Sequence, residues 1–171
     1  MGRTSKKENK NRYQLAREEL GLTREKAAEL LEAIPPERIE KIENERSLPH
    51  PDEVLILAAK YKRPSLCNYY CSNQCPIGRT YVPEVKVKEL SSIVLEMLAS
   101  LNSANRKQER LIEITADGKI DDEEIDDFIH IQEELERISI TVETLQLWAE
   151  KMLVTGAIDR RKYEERKKKV E

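Results

Sequence analysis

Apolar residues recur at helical spacing in short runs that end at Gly or Pro, and this pattern constrains the fold most. The first run covers residues 13–20 and stops at Gly21. A second run follows Thr23, whose hydroxyl suits the position just before a helix. A third starts at Pro36, because proline is tolerated in a first helical turn, and a fourth covers residues 52–61. This spacing predicts a compact bundle of short helices.

Composition also favours helices over the whole chain. Charged residues make up 37% of the 171 residues, and the chain contains only five Gly. We therefore predict an all-α protein. No apolar run reaches the roughly 18 residues that a membrane span requires, and none of signal-peptide length follows the basic start. We expect a cytoplasmic protein that has no membrane partner.

Two series of apolar residues at alternating spacings of four and three mark the C-terminal half. The first series is Leu90, Val94, Met97, Leu101, Ala104, Gln108 and Leu111, and the second is Leu135, Ile138, Val142, Leu145, Ala149 and Met152. A turn signal at residues 116–119 separates them. The pattern predicts a long helical hairpin over residues 84–171. Two helices cannot cover both seams, so we expect this hairpin to form a homodimer.

Residues 67–83 lack helical periodicity, and we predict that they form a Cys-containing linker or a small irregular module that contains the domain boundary. Cys67, Cys71 and Cys75 stand four residues apart, a spacing that lines up their thiols on one face of a helix. With His50 as a fourth donor they would make a Cys3His zinc site, and an iron-sulfur cluster is the other metal option. The alternative is that the three cysteines are inert packing residues.

The N-terminal helices resemble the Xre/Cro-type, lambda-repressor-like helix-turn-helix family. Residues 17–30 resemble its first helix, its turn and the start of its second helix, with Ala28 where two helices cross. The matching residues further along are Ile39, Ile42 and Glu43, and then Pro49, Val54, Leu57, Ala58 and Tyr61. The resemblance implies a helix-turn-helix domain over residues 13–66, preceded by a basic arm over residues 1–12. In that arm, Arg3, Lys6 and Lys7 would reach the DNA backbone or minor groove.

The resemblance implies a sequence-specific binder of double-stranded DNA, a transcriptional regulator rather than an enzyme. The third helix would enter the major groove, where Arg38 can pair with guanine. Lys41, Arg24 and Arg46 would contact phosphates. Glu37 would repel phosphate or accept a hydrogen bond from a cytosine amino group. No glycine loop for phosphate and no nucleophile beside a base is present to support catalysis.

Two alternatives follow from the third helix and from the cysteines. Pro35 and Pro36 stand where the family often has polar residues that touch DNA, and four glutamates make this helix and its exit acidic: Glu37, Glu40, Glu43 and Glu45. One alternative is therefore a protein-interaction adaptor whose helix-turn-helix no longer binds DNA. The other is a metal- or redox-gated sensor that uses the cysteines.

Overall fold

The computed structural model describes residues 10–169, and within them the chain forms ten helices and no strand. This confirms the all-α prediction. The chain divides into two compact units. The first unit consists of Met1–Glu84 and Glu150–Glu171, and the second unit is Val85–Ala149. We had predicted a single C-terminal segment over residues 84–171, so the structure differs in placing the last part of the chain with the N-terminal helices.

The first unit contains seven of the helices. They are α1 (Arg12–Glu19), α2 (Arg24–Leu31), α3 (Pro36–Glu43), α4 (Pro51–Lys60), α5 (Ser65–Asn73), α6 (Gly78–Tyr81) and α10 (Arg160–Lys167). The second unit holds α7 (Leu90–Arg106), α8 (Gln108–Ile114) and most of α9 (Ile125–Thr155). None of the helices that the structure describes is long and apolar enough to cross a membrane.

Local signals in the sequence explain where the first helices begin and end. The Asn11 side chain accepts a hydrogen bond from the Gln14 N–H at 2.9 Å and caps α1. Thr23 caps α2 in the same way through the Lys26 N–H at 3.3 Å. Gly21 ends the preceding helix with a φ of +67°, a backbone angle that glycine adopts without strain. The first four helices therefore begin and end within about a residue or two of the predicted limits.

The core of the first unit draws on α1 to α5. Its buried apolar residues are Tyr13, Ala16, Ala27, Leu31, Ile34, Ile39, Ile42, Val54, Leu57, Ala58, Tyr61 and Leu66. Most lie at the helical spacing that predicted the bundle. Because α3 and α4 pack against this core, the packing determines which side chains of α3 face outward.

The structure differs from the predicted linker over residues 67–83, because α5 covers part of this segment and packs as the fifth helix of the bundle. Leu66 lies in the common core, and Cys67 packs against it. The Tyr69 ring meets the Tyr13 ring edge-on at 5.9 Å between centroids. Tyr13 also donates its hydroxyl hydrogen to the Gln74 side-chain oxygen at 2.8 Å. The proline and glycine residues that suggested a linker flank this helix instead of interrupting it.

The first arm of the predicted hairpin is broken in the second unit. Helix α7 ends at Arg106 and α8 starts at Gln108, with Lys107 at φ −101° and ψ 1° between them. Helix α9 is continuous over 31 residues. Arg110 on α8 and Asp127 on α9 form an ion pair of 2.6 Å across the turn.

On α9 most of the buried residues stand one position before residues of the predicted apolar seam. Glu134 and Thr141 are buried, whereas Leu135 and Val142 are 52% and 40% exposed. On α7, Ile93 is fully buried while Leu101 of the predicted seam is exposed. The chain therefore buries one face of these helices and leaves much of the predicted apolar seam open to solvent.

Candidate nucleic-acid interface

A buried carboxylate connects the three helices that would present the interface. Glu43, at the end of α3, is 1% exposed. The Arg17 guanidinium on α1 donates to both of its carboxylate oxygens, at 2.5 Å and 3.0 Å. Arg24, at the start of α2, donates its Nε–H to the same carboxylate at 2.8 Å. Arg17 also donates to the Leu22 carbonyl oxygen in the turn between α1 and α2.

The ion pairs with Glu43 favour the charged form of Arg17. Burial alone would lower the pKa of Arg17, but its hydrogen bonds and its attraction to Glu43 outweigh burial, so the pKa is raised. Removing one partner of such a buried pair costs about 3–5 kcal/mol, because an unpaired charge remains inside. The network therefore fixes how α2 and α3 are held against α1. The guanidinium of Arg24, which we had predicted to contact phosphate, is directed to this network.

Arg38 lies on the flank of α3 and is held by four hydrogen bonds. Its Nε and Nη2 atoms donate to the two carboxylate oxygens of Glu53 on α4, at 2.7 Å and 2.6 Å. Its other bonds run to the Ser47 hydroxyl at 2.5 Å and to the Leu48 carbonyl oxygen at 2.9 Å. A two-pronged bond of this kind is the strongest that arginine makes with a carboxylate. Arg38 therefore clamps α3 to the loop that follows it and to α4.

Glu53 completes this clamp, although it was not among the residues predicted to form the site. Its carboxylate also accepts the His50 backbone N–H at 2.7 Å, which caps α4. The hydrogen bond from Arg38 is the main reason that the pKa of Glu53 is lowered. An acidic residue three positions into a helix is a known capping signal, so its capping role was open to prediction. Its pairing with Arg38 depends on the tertiary fold.

The outward face of α3 carries a different set of side chains. Ile39, Ile42 and Glu43 face the core, so Glu37, Lys41 and Asn44 lie on the opposite side of the helix. Glu37 and Lys41 are exposed. Asn44 is half-buried and donates weakly to Glu40 at 3.3 Å. A helix that lies in a groove would present these side chains to the bases.

Arg46 follows α3 and extends into solvent. Its side chain is 69% exposed, and its nearest acidic partner is Glu40 at 3.8 Å. Of the five helix-turn-helix residues predicted to contact DNA, the structure thus places Glu37, Lys41 and Arg46 on the outer surface. The guanidinium groups of the other two, Arg24 and Arg38, bind carboxylates of the bundle.

The charge on this surface is more negative than that of a typical DNA-binding face. Between residues 24 and 46, the exposed acidic side chains are Glu25, Glu29, Glu32, Glu37 and Glu45, and the exposed basic ones are Lys26, Lys41 and Arg46. Acidic side chains repel phosphate, so cations elsewhere must supply part of any attraction to DNA. The arm residues Arg3, Lys6 and Lys7 lie outside the described residues.

The structure does not bring the predicted metal ligands together. Within residues 10–169, no three His, Cys, Asp or Glu side chains converge in a way that could hold a metal ion. Cys67 packs on the core, and burial raises the pKa of its thiol. Cys75 lies beyond α5, where its Sγ accepts the Gly78 N–H at 3.4 Å. His50 is exposed just before α4.

The comparison with known proteins identifies a family only for residues of the first unit. Residues 14–65 match the model of a helix-turn-helix family, the Xre and lambda-repressor type. That family consists of DNA-binding regulators and not of enzymes. No curated protein and no solved structure is significantly similar to the chain. The match confirms the predicted family for these residues, and it includes the whole of α2, α3 and α4.

The clamp between Arg38 and Glu53 should be visible as an energetic coupling. We expect Arg38→Ala to lower the free energy of unfolding by about 2 kcal/mol, because it removes charged hydrogen bonds from a largely buried partner. Adding Glu53→Ala should cost little more, which gives a coupling of about 1–2 kcal/mol in urea unfolding. Below pH ~4.5 the wild-type advantage over Glu53→Gln should shrink, since the lowered pKa of Glu53 contributes stability that is lost as the carboxylate takes up a proton.

The matched control for this cycle is the pair of Lys60 and Glu32, which lie 2.9 Å apart. Both side chains are well exposed, so their coupling should stay below about 0.5 kcal/mol. Additive losses from Arg38→Ala and Glu53→Ala would contradict the clamp.

Proposed function

Because residues 14–65 form an Xre-type helix-turn-helix domain, we propose that the protein is a transcriptional regulator that binds double-stranded DNA in a sequence-specific manner as a homodimer. The observation that carries the proposal is the outward face of α3, which a rigid five-helix bundle presents clear of its core. Such a regulator acts in the compartment that holds the DNA, in line with the cytoplasmic location expected from the sequence.

In this proposal α3 lies in the major groove and its exposed side chains meet the bases. Lys41 donates to phosphate or to a guanine edge, and Glu37 accepts a hydrogen bond from a cytosine amino group. Arg46 contacts the phosphate backbone as the chain leaves the helix.

Arg24 and Arg38 take a different role from the one predicted from the sequence. To pair with guanine, Arg38 would have to leave both oxygens of Glu53. Arg24 binds the buried Glu43 through its Nε–H, and this bond ties the start of α2 to the end of α3. We propose that both residues position α2 and α3 rather than contact DNA. Specificity then depends on Glu37, Lys41 and Asn44.

The second unit supports the dimer. It exposes large apolar side chains that a single chain leaves uncovered: Leu90, Leu95, Leu98, Leu101, Ile112, Ile120, Ile125, Ile129, Leu135 and Val142. Exposed apolar surface of this extent is typical of interaction sites. A second copy is the partner that we propose, since a two-fold symmetric dimer matches the two half-sites of a symmetric operator.

One observation favours a second candidate function, that of a protein-interaction adaptor. The surface of α2 and α3 exposes more acidic than basic side chains, and such a surface suits a basic protein partner. Salt-dependent binding of duplex DNA separates the two candidates.

Substituting Lys41 tests whether α3 contacts DNA. Lys41→Ala should weaken binding of a preferred duplex about tenfold and lower the slope of log affinity against log salt by about one. The control is Lys86→Ala, which removes an exposed cation from the second unit. Fluorescence titration of labelled duplexes over a range of salt concentrations measures both effects. Equal affinity of the two variants and the wild type would contradict the proposal for α3.

Introducing charged side chains on the exposed face of α7 tests whether the chain forms a dimer. Leu95 and Leu98 are 68% and 49% exposed, so changing both to Glu should leave each chain folded and shift the protein from dimer to monomer. Sedimentation equilibrium at tens of micromolar measures the mass. The control is Ser92→Glu with Ala99→Glu, which adds the same charge at two exposed positions about a quarter turn further round the same helix. A wild-type monomer at this concentration would show that no dimer forms.

A further inference from the structure

Helix α10 differs from the other helices of the first unit because it contains no buried residue. Residues 160–169 contain seven Lys or Arg and two Glu, and all of them are exposed. Among residues 10–169, no acidic side chain lies within ion-pair distance of these cations. Packing therefore does not account for the composition of this helix.

The chain nevertheless builds α10 as a defined helix. Gly156 ends α9 with a φ of +79°, and the Ile158 N–H returns to the Met152 carbonyl oxygen at 3.1 Å. Asp159 then caps α10 by accepting the Lys162 N–H at 3.1 Å. A turn and a cap of this kind specify where the helix begins.

The first turn of α10 carries its cations where they are least favourable. Arg160, Arg161 and Lys162 occupy the N-terminal turn, at which the helix dipole disfavours positive charge. Departures from local preference of this kind tend to mark functional residues. These three cations therefore need an explanation other than helix stability.

The distribution of charge supplies that explanation. Residues 10–84, which contain the helix-turn-helix, have 12 basic and 12 acidic residues, and the second unit has seven basic and 15 acidic residues. The bundle is thus neutral, and the second unit repels a polyanion. Within the described residues, net positive charge is concentrated on α10, which belongs to the same compact unit as the helix-turn-helix.

We infer that α10 is a second DNA-contacting element, whose Arg and Lys side chains bind the phosphate backbone of the duplex that α3 engages. This inference rests on the proposed function and adds the source of its affinity. Contacts to phosphate carry no sequence information, so α10 raises affinity for all duplexes alike. Its eight residues span about 12 Å, which is enough to follow a few successive phosphates.

The test replaces Arg160, Arg161 and Lys162 of the full chain with Gln. Gln is an uncharged residue of good helix propensity, and it removes cations from a turn that disfavours them, so the helix should persist. The matched control replaces Lys86, Arg106 and Lys119, three exposed cations of the second unit, with Gln. Affinities for a preferred and a random duplex are measured over a range of salt concentrations.

We expect the α10 variant to lose at least tenfold in affinity on both duplexes and to show a salt slope lower by about two to three, with the order of preference unchanged. The control should match the wild type. An α10 variant that keeps the wild-type slope and affinity would overturn the inference while leaving the proposed function intact. If the wild type itself binds no duplex, the proposed function fails and the inference fails with it.

Sedimentation of the same variants excludes the other role open to a basic helix. If the α10 variant loses its dimer but binds DNA normally at concentrations that restore the dimer, α10 contacts the acidic second unit of another copy, and the inference is wrong.

Discussion

The ion pairs around Glu43 determine how the first unit can present a helix to a partner. This carboxylate is almost fully buried, and arginines from two other helices hold its charge. Leaving the carboxylate unpaired would cost several kcal/mol, so α1, α2 and α3 keep one relative arrangement. Arg38 and Glu53 extend the same principle to α4 and to the loop after α3. The outward face of α3 is rigid because both sides of the helix are held in this way.

The ion pairs that hold these helices together occupy arginines that a DNA-binding surface would otherwise expose. With Arg24 and Arg38 bound to carboxylates, the surface of α2 and α3 retains few free cations beside several exposed glutamates. A domain of this design has a well-defined shape but weak electrostatic attraction to phosphate. Affinity then has to come from cations outside the helix-turn-helix and from the pairing of two copies, whereas α3 supplies discrimination among sequences.

The sequence predicted the first four helices because their apolar spacing, caps and breakers agree, as at Thr23, Gly21 and Pro36. It did not predict α5, since Pro64, Pro76 and Gly78 flank this helix and suggested a linker. The partner of Arg38 could not be predicted, because Glu53 lies 15 residues away and meets it only in the tertiary fold. The heptad pattern on α9 indicated Leu135 and Val142 as the buried seam, but packing within one chain selects the neighbouring face.

Selection of bound sequences from a pool of random duplex DNA, with the 171-residue chain at about 50 mM salt, tests the central claim most directly. The account predicts enrichment of one sequence with two related half-sites whose centres are about 10 base pairs, or a multiple of this, apart. A pool that stays random after repeated rounds would contradict the account. The acidic surface of α2 and α3 would then have to be explained as a surface for protein partners.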